Sequence, residues 1–331
     1  MYKIKLFGIR EEEIPMATAW ADKHQIDLTY TSDELTMDNV HTLKGFDGVT
    51  IDQVSNFDQS LYPALEELGM KQLSMRTAGF DVHDPELAAK HGLVLTNVAS
   101  YSPESIAEYA VMGTLNLLRH ALETQTRIEN QNYSAKPEIR GKTIHDKTVA
   151  VIGVGKIGSA VARIFNGFGA RVLGFDIEPQ TQYQSLVEYQ DSLISAIKEA
   201  DIVTIHMPLT EDTYHQFNLD IFKQFKKEAI FINTARGGIV DTNDLLKALD
   251  QDLISGAFID VYEFESPYAD RDCGDEVIED EVYKALQTHP KVIYTPHTAY
   301  YTDTSLKNMI GIGLQSVVDV LNTGTSPNRL N

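Results

Sequence analysis

The chain contains one cysteine, Cys273, among 331 residues. A lone thiol forms no intramolecular disulfide and leaves no thiolate cluster for zinc or iron–sulfur, so no metal site is expected and the cytosol is the expected compartment. Basic charge is scarce as well: 28 Lys and Arg stand against 48 Asp and Glu, a formal net charge of −20. That balance argues against a nucleic-acid backbone or an anionic membrane as partner, and it gives weight to any arginine that a small anion would have to find against the field. No apolar run approaches the roughly 18 residues that a membrane span requires. The opening Tyr2-Lys3-Ile4-Lys5-Leu6-Phe7 segment is too short and too interrupted by lysine for a signal peptide. Internal repeats and low-complexity tracts are also lacking.

What is present is an ordinary globular composition, 43% hydrophobic and 23% charged. Because single cores stop growing at roughly 250 to 300 residues, two lobes are expected. The strongest local signal is Lys147-Thr148-Val149-Ala150-Val151-Ile152-Gly153-Val154-Gly155-Lys156-Ile157-Gly158, an apolar strand running into a glycine-rich turn that opens a helix. Gly153 suits the tight turn, Gly155 lets backbone approach a pyrophosphate, and Gly158 lets the helix pack closely on the strand, whose N-terminal N–H groups then face the anion. Lys156 lies in the same turn, either along the pyrophosphate or in solvent. The next strand, Arg171-Val172-Leu173-Gly174-Phe175, ends in Asp176, eighteen positions beyond Gly158. A carboxylate there accepts from both ribose hydroxyls and repels a 2′-phosphate, which favours NAD over NADP.

Short apolar runs before this fingerprint, at residues 4–7, 28–31, 49–51, 72–75 and 94–95, alternate with helical patterns at 11–24, 59–68 and 85–91. The pattern is that of a parallel sheet flanked by helices, a flavodoxin-like lobe. Ser102 and Pro103 suit the N-cap and first position of a long helix, with an apolar face through Ile106, Ala110, Met112 and Leu117. Further strands are expected at 202–205, 229–233, 255–260 and 292–295, and helices at 192–200 and 242–249. An amphipathic helix over 304–321 has no place left in that second sheet and is expected to return to the first lobe. The fold class is therefore α/β in two domains, a Rossmann-type doubly wound sheet (101–299) inserted into a discontinuous flavodoxin-like domain (1–100 and 300–331).

Ligands of open parallel sheets sit beyond the carboxyl ends of strands. The chemistry-bearing residues at those positions are Arg236, Asp260, Glu265 and His297. Imidazole titrates near neutral pH, so His297 suits a general acid and base. A carboxylate on its far nitrogen would fix the tautomer and raise its pKa; both Glu265 and Glu263 qualify, and spacing does not separate them. Arg236 can pair with a substrate carboxylate in a bidentate way. Asp260 is expected to contact the nicotinamide amide or ribose. Ser100, Ser102 and Cys273 are set aside as nucleophiles because no elbow turn accompanies them. The acidic run of Asp270, Asp272, Asp275, Glu276, Glu279 and Asp280 lacks calcium-loop spacing and reads as a solvated loop.

Over essentially its whole length the sequence resembles the D-isomer-specific 2-hydroxyacid dehydrogenases. The segments that carry the resemblance are Arg76-Thr77-Ala78-Gly79-Phe80-Asp81, Tyr101-Ser102-Pro103-Glu104-Ser105-Ile106-Ala107-Glu108, the Gly153 fingerprint, Thr234-Ala235-Arg236-Gly237, Asp260-Val261-Tyr262-Glu263 and Thr295-Pro296-His297-Thr298-Ala299-Tyr300-Tyr301. The resemblance implies Arg236, Glu265 and His297 as the catalytic residues, which chooses Glu265 over Glu263. It implies that Ala78, Gly79, Tyr101, Arg236 and Tyr300 bind the substrate. The NAD cleft would be lined by Gly153, Gly155, Lys156, Ile157, Gly158, Asp176, Met207, Pro208, Thr213, Thr234, Ala235, Arg236 and Asp260. Reduction of pyruvate to D-lactate in a site between the lobes is the implied reaction, with a homodimer formed through the NAD-binding domains by the helix after Ser102. Where several family members carry tyrosine, this chain has Asp52, unfavourable beside an anionic substrate unless it turns away or meets a cation. Tyr300 and Tyr301 are candidates for an apolar wall, and larger 2-oxo acids, as in D-2-hydroxyisocaproate dehydrogenases, are the alternative substrates. An NAD-sensing binding protein on the same scaffold is the rival from another class. The charge of −20 and the presence of all three catalytic candidates argue against it.

Overall fold

A computed structural model describes residues 1–53, 56–269 and 271–331. The chain forms two compact units, Met1–Ser102 with Tyr301–Asn331, and Pro103–Tyr300. Among the described residues the first unit holds a five-stranded sheet of β1 (Lys3–Leu6), β2 (Asp27–Tyr30), β3 (Gly48–Ile51), β4 (Gln72–Met75) and β5 (Val94–Thr96), ordered β2-β1-β3-β4-β5. All neighbours pair in parallel. This is the flavodoxin-like order. The final helix, Asp303–Thr323, starts where Thr302 accepts the Ser305 N–H at 3.2 Å and ends at Gly324 in a left-handed conformation. It belongs to this first unit: its Ile310, Leu314 and Val317 pack with Ile4, Leu6, Ile9 and Ala17.

The second unit is built on β6 (Thr148–Ile152), β7 (Arg171–Phe175), β8 (Glu188–Tyr189), β9 (Ile202–Ile205), β10 (Ile230–Asn233), β11 (Gly256–Ile259) and β12 (Val292–Tyr294). Their order is β12-β11-β10-β9-β6-β7-β8, again parallel throughout. Parallel strands covered on both faces must be apolar at every position, because alternate side chains point to opposite layers. In β6, Val149 and Val151 enter one core with Phe165 and Phe258, while Ala150 and Ile152 enter the other with Phe217, Phe222 and Phe231. Each such fully buried large side chain contributes roughly 1.5 to 3 kcal/mol. Chain order reverses at β6, between β7 and β9, which leaves a crevice for a ligand at the carboxyl ends of these strands.

The helix Pro103–Arg119 forms, but Met112 does not lie on its buried face. Ile106, Ala110, Thr114 and Leu118 recur every fourth residue and are buried, whereas Met112 falls about half a turn away from Ala110 and is 39% exposed. Strand β8 and the helices Ala121–Glu129 and Glu281–Thr288 lie outside the elements expected from sequence. The acidic run is not simply solvated either. Asp280 caps the helix Glu281–Thr288 by accepting the Tyr283 N–H at 3.0 Å and also accepts the Tyr262 hydroxyl at 2.9 Å. Asp270 of that run lies outside the described residues.

Candidate active site

Seven of the expected cofactor residues follow the carboxyl ends of adjacent strands in the second sheet: Gly153 after β6, Asp176 after β7, Met207 and Pro208 after β9, Thr234 and Ala235 after β10, and Asp260 after β11. Gly153 has φ +89°, and a Cβ on it would stand 2.7 Å from the His206 carbonyl carbon, so only glycine makes this turn. At Gly158 a Cβ would lie 2.0 Å from the Gly153 oxygen; the helix Lys156–Gly167 packs that tightly on its strand. Gly155 differs, because nothing lies within 4 Å of where its side chain would begin. Bare backbone at a helix N-terminus therefore faces open space, flanked by an exposed Lys156 and a half-buried Ile157. Two polar atoms along this edge, Thr234 Oγ1 and His206 Nδ1, are buried without a hydrogen-bond partner. An anion-accepting helix terminus, a carboxylate at the tip of β7 and unpaired polar atoms beyond β9 and β10 fit a dinucleotide. Thr213 lies on the loop after β9, where its hydroxyl donates to the Pro208 carbonyl at 2.8 Å and so shapes the loop.

The acid–base pair is formed beyond β11 and β12. His297 Nδ1 lies 2.6 Å from Glu265 Oε1, so that nitrogen carries the proton and Nε2 is the atom left to exchange one. Burial lowers the His297 pKa, but the Glu265 hydrogen bond and charge, with Asp260 behind them, outweigh burial and the opposing Arg236, leaving it above the ordinary 6.5. The Glu265 carboxylate is itself fixed, its Oε2 accepting the Tyr262 N–H at 2.8 Å. His297 has φ +56°, a left-handed conformation that costs a side-chain-bearing residue about 1 to 2 kcal/mol. Its N–H donates to the Asp260 carbonyl at 2.7 Å, which helps hold that conformation. Tyr300 meets the imidazole edge to face, with ring centroids 6.4 Å apart.

Asp260, expected near the cofactor, makes its bonds within the chain. It is fully buried, and its carboxylate accepts from Thr295 Oγ1 at 2.6 Å, Thr298 N–H at 3.0 Å and Ala299 N–H at 2.9 Å. Burial pushes its pKa up against those three bonds and the nearby His297, which favour the charge. Asp260 thus ties down the loop that presents His297. The choice between Glu263 and Glu265 is also decided: Glu265 meets His297, while Glu263 meets His215 at 2.7 Å. No sequence signal had singled out His215. Arg236 follows β10, where its Nη1 donates to the Ala235 carbonyl at 2.8 Å, and its charge reaches His297.

The remaining expected residues belong to the first unit. The carbonyls of Ala78, Gly79 and Tyr101 accept from Asn97 Nδ2 (2.7 Å), Thr77 Oγ1 (2.7 Å) and Asn308 Nδ2 (2.5 Å), bonds that set the course of their loops. Asp52 has its cation: Oδ2 lies 3.7 Å from Arg10 Nη1. Tyr301 is not an apolar wall, since its hydroxyl donates to Glu12 at 2.5 Å and Arg10 lies over its ring.

A doubly wound sheet with a dinucleotide turn and a histidine–carboxylate pair beside an arginine defines a class, the nicotinamide-dependent oxidoreductases that act on alcohol and carbonyl groups. Residues 111–299 match the model of the family described as "D-isomer specific 2-hydroxyacid dehydrogenase, NAD binding domain". The sequence is 47% identical to a D-lactate dehydrogenase of Streptococcus agalactiae, over 99% of this chain and 100% of that one. Solved structures similar to it include a D-lactate dehydrogenase of Treponema pallidum, 37% identical with a TM-score of 0.92, and that of Lactobacillus jensenii with NAD+, 35% identical with a TM-score of 0.89; each comparison covers 99% of both chains. The chain belongs to the D-isomer specific 2-hydroxyacid dehydrogenases, and it is an NAD-dependent oxidoreductase. Among the described residues no helix is long and apolar enough to cross a membrane.

Proposed function

We propose that the protein is an NAD-dependent D-lactate dehydrogenase interconverting pyruvate and D-lactate. The observation that carries this reading is the 2.6 Å pair of His297 and Glu265 at the carboxyl edge of the dinucleotide sheet, with the Arg236 charge acting on it. The names of the relatives support the substrate. In the reading, Arg236 grips the substrate carboxylate with two parallel N–H donors and polarises the neighbouring carbonyl. His297 Nε2 gives its proton to the carbonyl oxygen during reduction and takes it back during oxidation, while Glu265 fixes the tautomer and stabilises the charged ring. NAD, when bound, supplies the hydride carrier.

Gly153, Gly155, Lys156, Ile157 and Gly158 would hold its pyrophosphate and Asp176 its adenosine ribose, with Met207, Pro208, Thr213, Thr234, Ala235 and Arg236 along the rest. Ala78, Gly79, Tyr101 and Tyr300 complete the substrate contacts. The same reading includes a cytosolic homodimer, joined through an apolar surface on the second unit that exposes Met112 (39%) and Phe168 (42%) beside Val111, Leu115 and Ile164. The test is NADH oxidation with pyruvate and with 2-oxoisocaproate. Faster turnover of pyruvate is expected; preference for 2-oxoisocaproate overturns the substrate, and tight NADH binding without turnover of any 2-oxo acid overturns the enzyme.

A further inference from the structure

We infer that His215, together with Glu263, is a positioning residue for Arg236 and Glu265. The inference rests on the roles proposed above for those two residues. They lie on different segments: Arg236 in the turn after β10, and Glu265 in the stretch after β11. Glu263 joins the segments. Its side chain is only 4% exposed, Oε1 accepts the Thr242 N–H at 3.0 Å, and Oε2 accepts the Nε2–H of His215 at 2.7 Å.

His215 fastens the other side of the turn. Its backbone N–H donates to the Gly238 carbonyl at 2.9 Å, and its Nδ1 lies 3.6 Å from Asp241 Oδ2. Tyr214 stacks on the imidazole at 4.0 Å and fixes its plane. The turn lies directly on the peptide that precedes Glu263, since a Cβ at Gly237 would be 2.2 Å from the Tyr262 carbonyl carbon. From Tyr262 the chain of contacts continues through its N–H to Glu265 Oε2, and from Glu265 Oε1 to His297. His215 also shares with His297 a left-handed backbone, φ +50° and +56°. Such a conformation persists in a residue with a Cβ only where its surroundings impose it.

The charged groups facing His215 are Glu263 and Asp241, with Asp244 close enough to feel its charge. A pair that merely satisfies a buried carboxylate would affect stability alone; a positioning pair is read in the reaction. The experiment compares wild type with His215→Ala, His215→Gln and Glu263→Gln, using pyruvate and NADH. His215→Ala is expected to lower kcat/KM roughly tenfold, the scale of a displacement under 1 Å at a reacting group. NADH affinity falls by much less than kcat/KM, and the fall of pyruvate reduction with rising pH moves to lower pH as Glu265 loosens from His297. His215→Gln, which keeps a side-chain N–H for Glu263, recovers most of the loss. An unchanged kcat/KM and pH profile in His215→Ala overturns the inference, as does NADH affinity weakened in the same proportion as turnover. If His215→Ala does not fold, the pH profile of Glu263→Gln decides: a shift to lower pH supports positioning, and none overturns it. Wild type without turnover of any 2-oxo acid overturns the functional reading first, and this inference with it.

Discussion

The carboxylate of Asp176 accepts the backbone N–H of Val154 at 2.7 Å, so the residue that ends β7 is bonded to the turn that begins the nucleotide site. Its other oxygen accepts the Glu178 N–H at 2.9 Å. One side chain therefore shapes the turn and places a negative charge where the adenosine ribose is proposed to lie. The two tasks separate on substitution. Asp176→Asn keeps an acceptor for Val154 and removes the charge, so the preference for NADH over NADPH should fall while thermal stability changes little. Asp176→Ala removes both and should additionally lose about 1 kcal/mol. The ratio of kcat/KM with the two cofactors, alongside denaturant melts, checks this; a ratio unchanged in both variants shows that the ribose is held elsewhere.

The raised pKa of His297 fixes the direction of the pH dependence. Reduction of a 2-oxo acid needs the protonated imidazole, so it persists above the ordinary 6.5 and falls as pH rises through the raised value. In Glu265→Gln the groups that raise that pKa are weakened and burial acts against less opposition, so the fall occurs at lower pH. His297→Gln removes the proton donor outright and should cut turnover on the order of 100-fold or more, with NADH affinity unchanged. Rates from pH 5 to 9 and NADH fluorescence titrations measure both. An unmoved limb in Glu265→Gln refutes the assignment of that carboxylate.

Much of this site was legible because parallel sheets write themselves plainly: doubly buried strands read as apolar runs, and reactive residues follow their ends. That is how Arg236 and His297 stand out from sequence, with Glu263 and Glu265 as rival partners for the histidine. What could not be read is which side chains meet. Glu263 and Glu265 are equally acidic and two positions apart, and only the backbone path after β11 sends one to His215 and the other to His297. Asp260 sits at a strand end like the others, yet its carboxylate turns inward to three donors. Met112 misled because an apolar residue on a helix need not face the helix's own core.

His83 gives a prediction for stability in acid. It is 7% exposed, packs against the Phe57 ring at 4.4 Å, and burial lowers its pKa from 6.5 to about 4. Between those values the unfolded chain binds a proton that the folded chain does not, so folding stability falls as pH drops from 6.5 toward 4. The slope is on the order of 1.4 kcal/mol per pH unit. His83→Leu should remove this contribution and flatten the dependence relative to wild type in denaturant melts across that range. Parallel curves for the two proteins contradict it.

The glycines of the nucleotide turn offer the cleanest separation of fold from binding. Gly158→Ala places a methyl 2.0 Å from the Gly153 oxygen, a backbone atom that cannot yield without moving the turn. Overpacking of that kind should cost at least about 2 kcal/mol, lowering Tm and NADH affinity together. Gly155→Ala meets nothing within 4 Å and keeps a negative φ of −84° at the helix N-cap. Its fold should survive with a loss of about 0.5 kcal/mol, because alanine caps a helix less well than glycine. The methyl group nonetheless stands in the open space where a pyrophosphate would approach the backbone N–H groups, so NADH affinity should drop sharply in a protein whose Tm does not. Melting curves and NADH titrations on the two variants decide it: undiminished affinity in Gly155→Ala means that the pyrophosphate does not lie over this turn, whatever happens at Gly158.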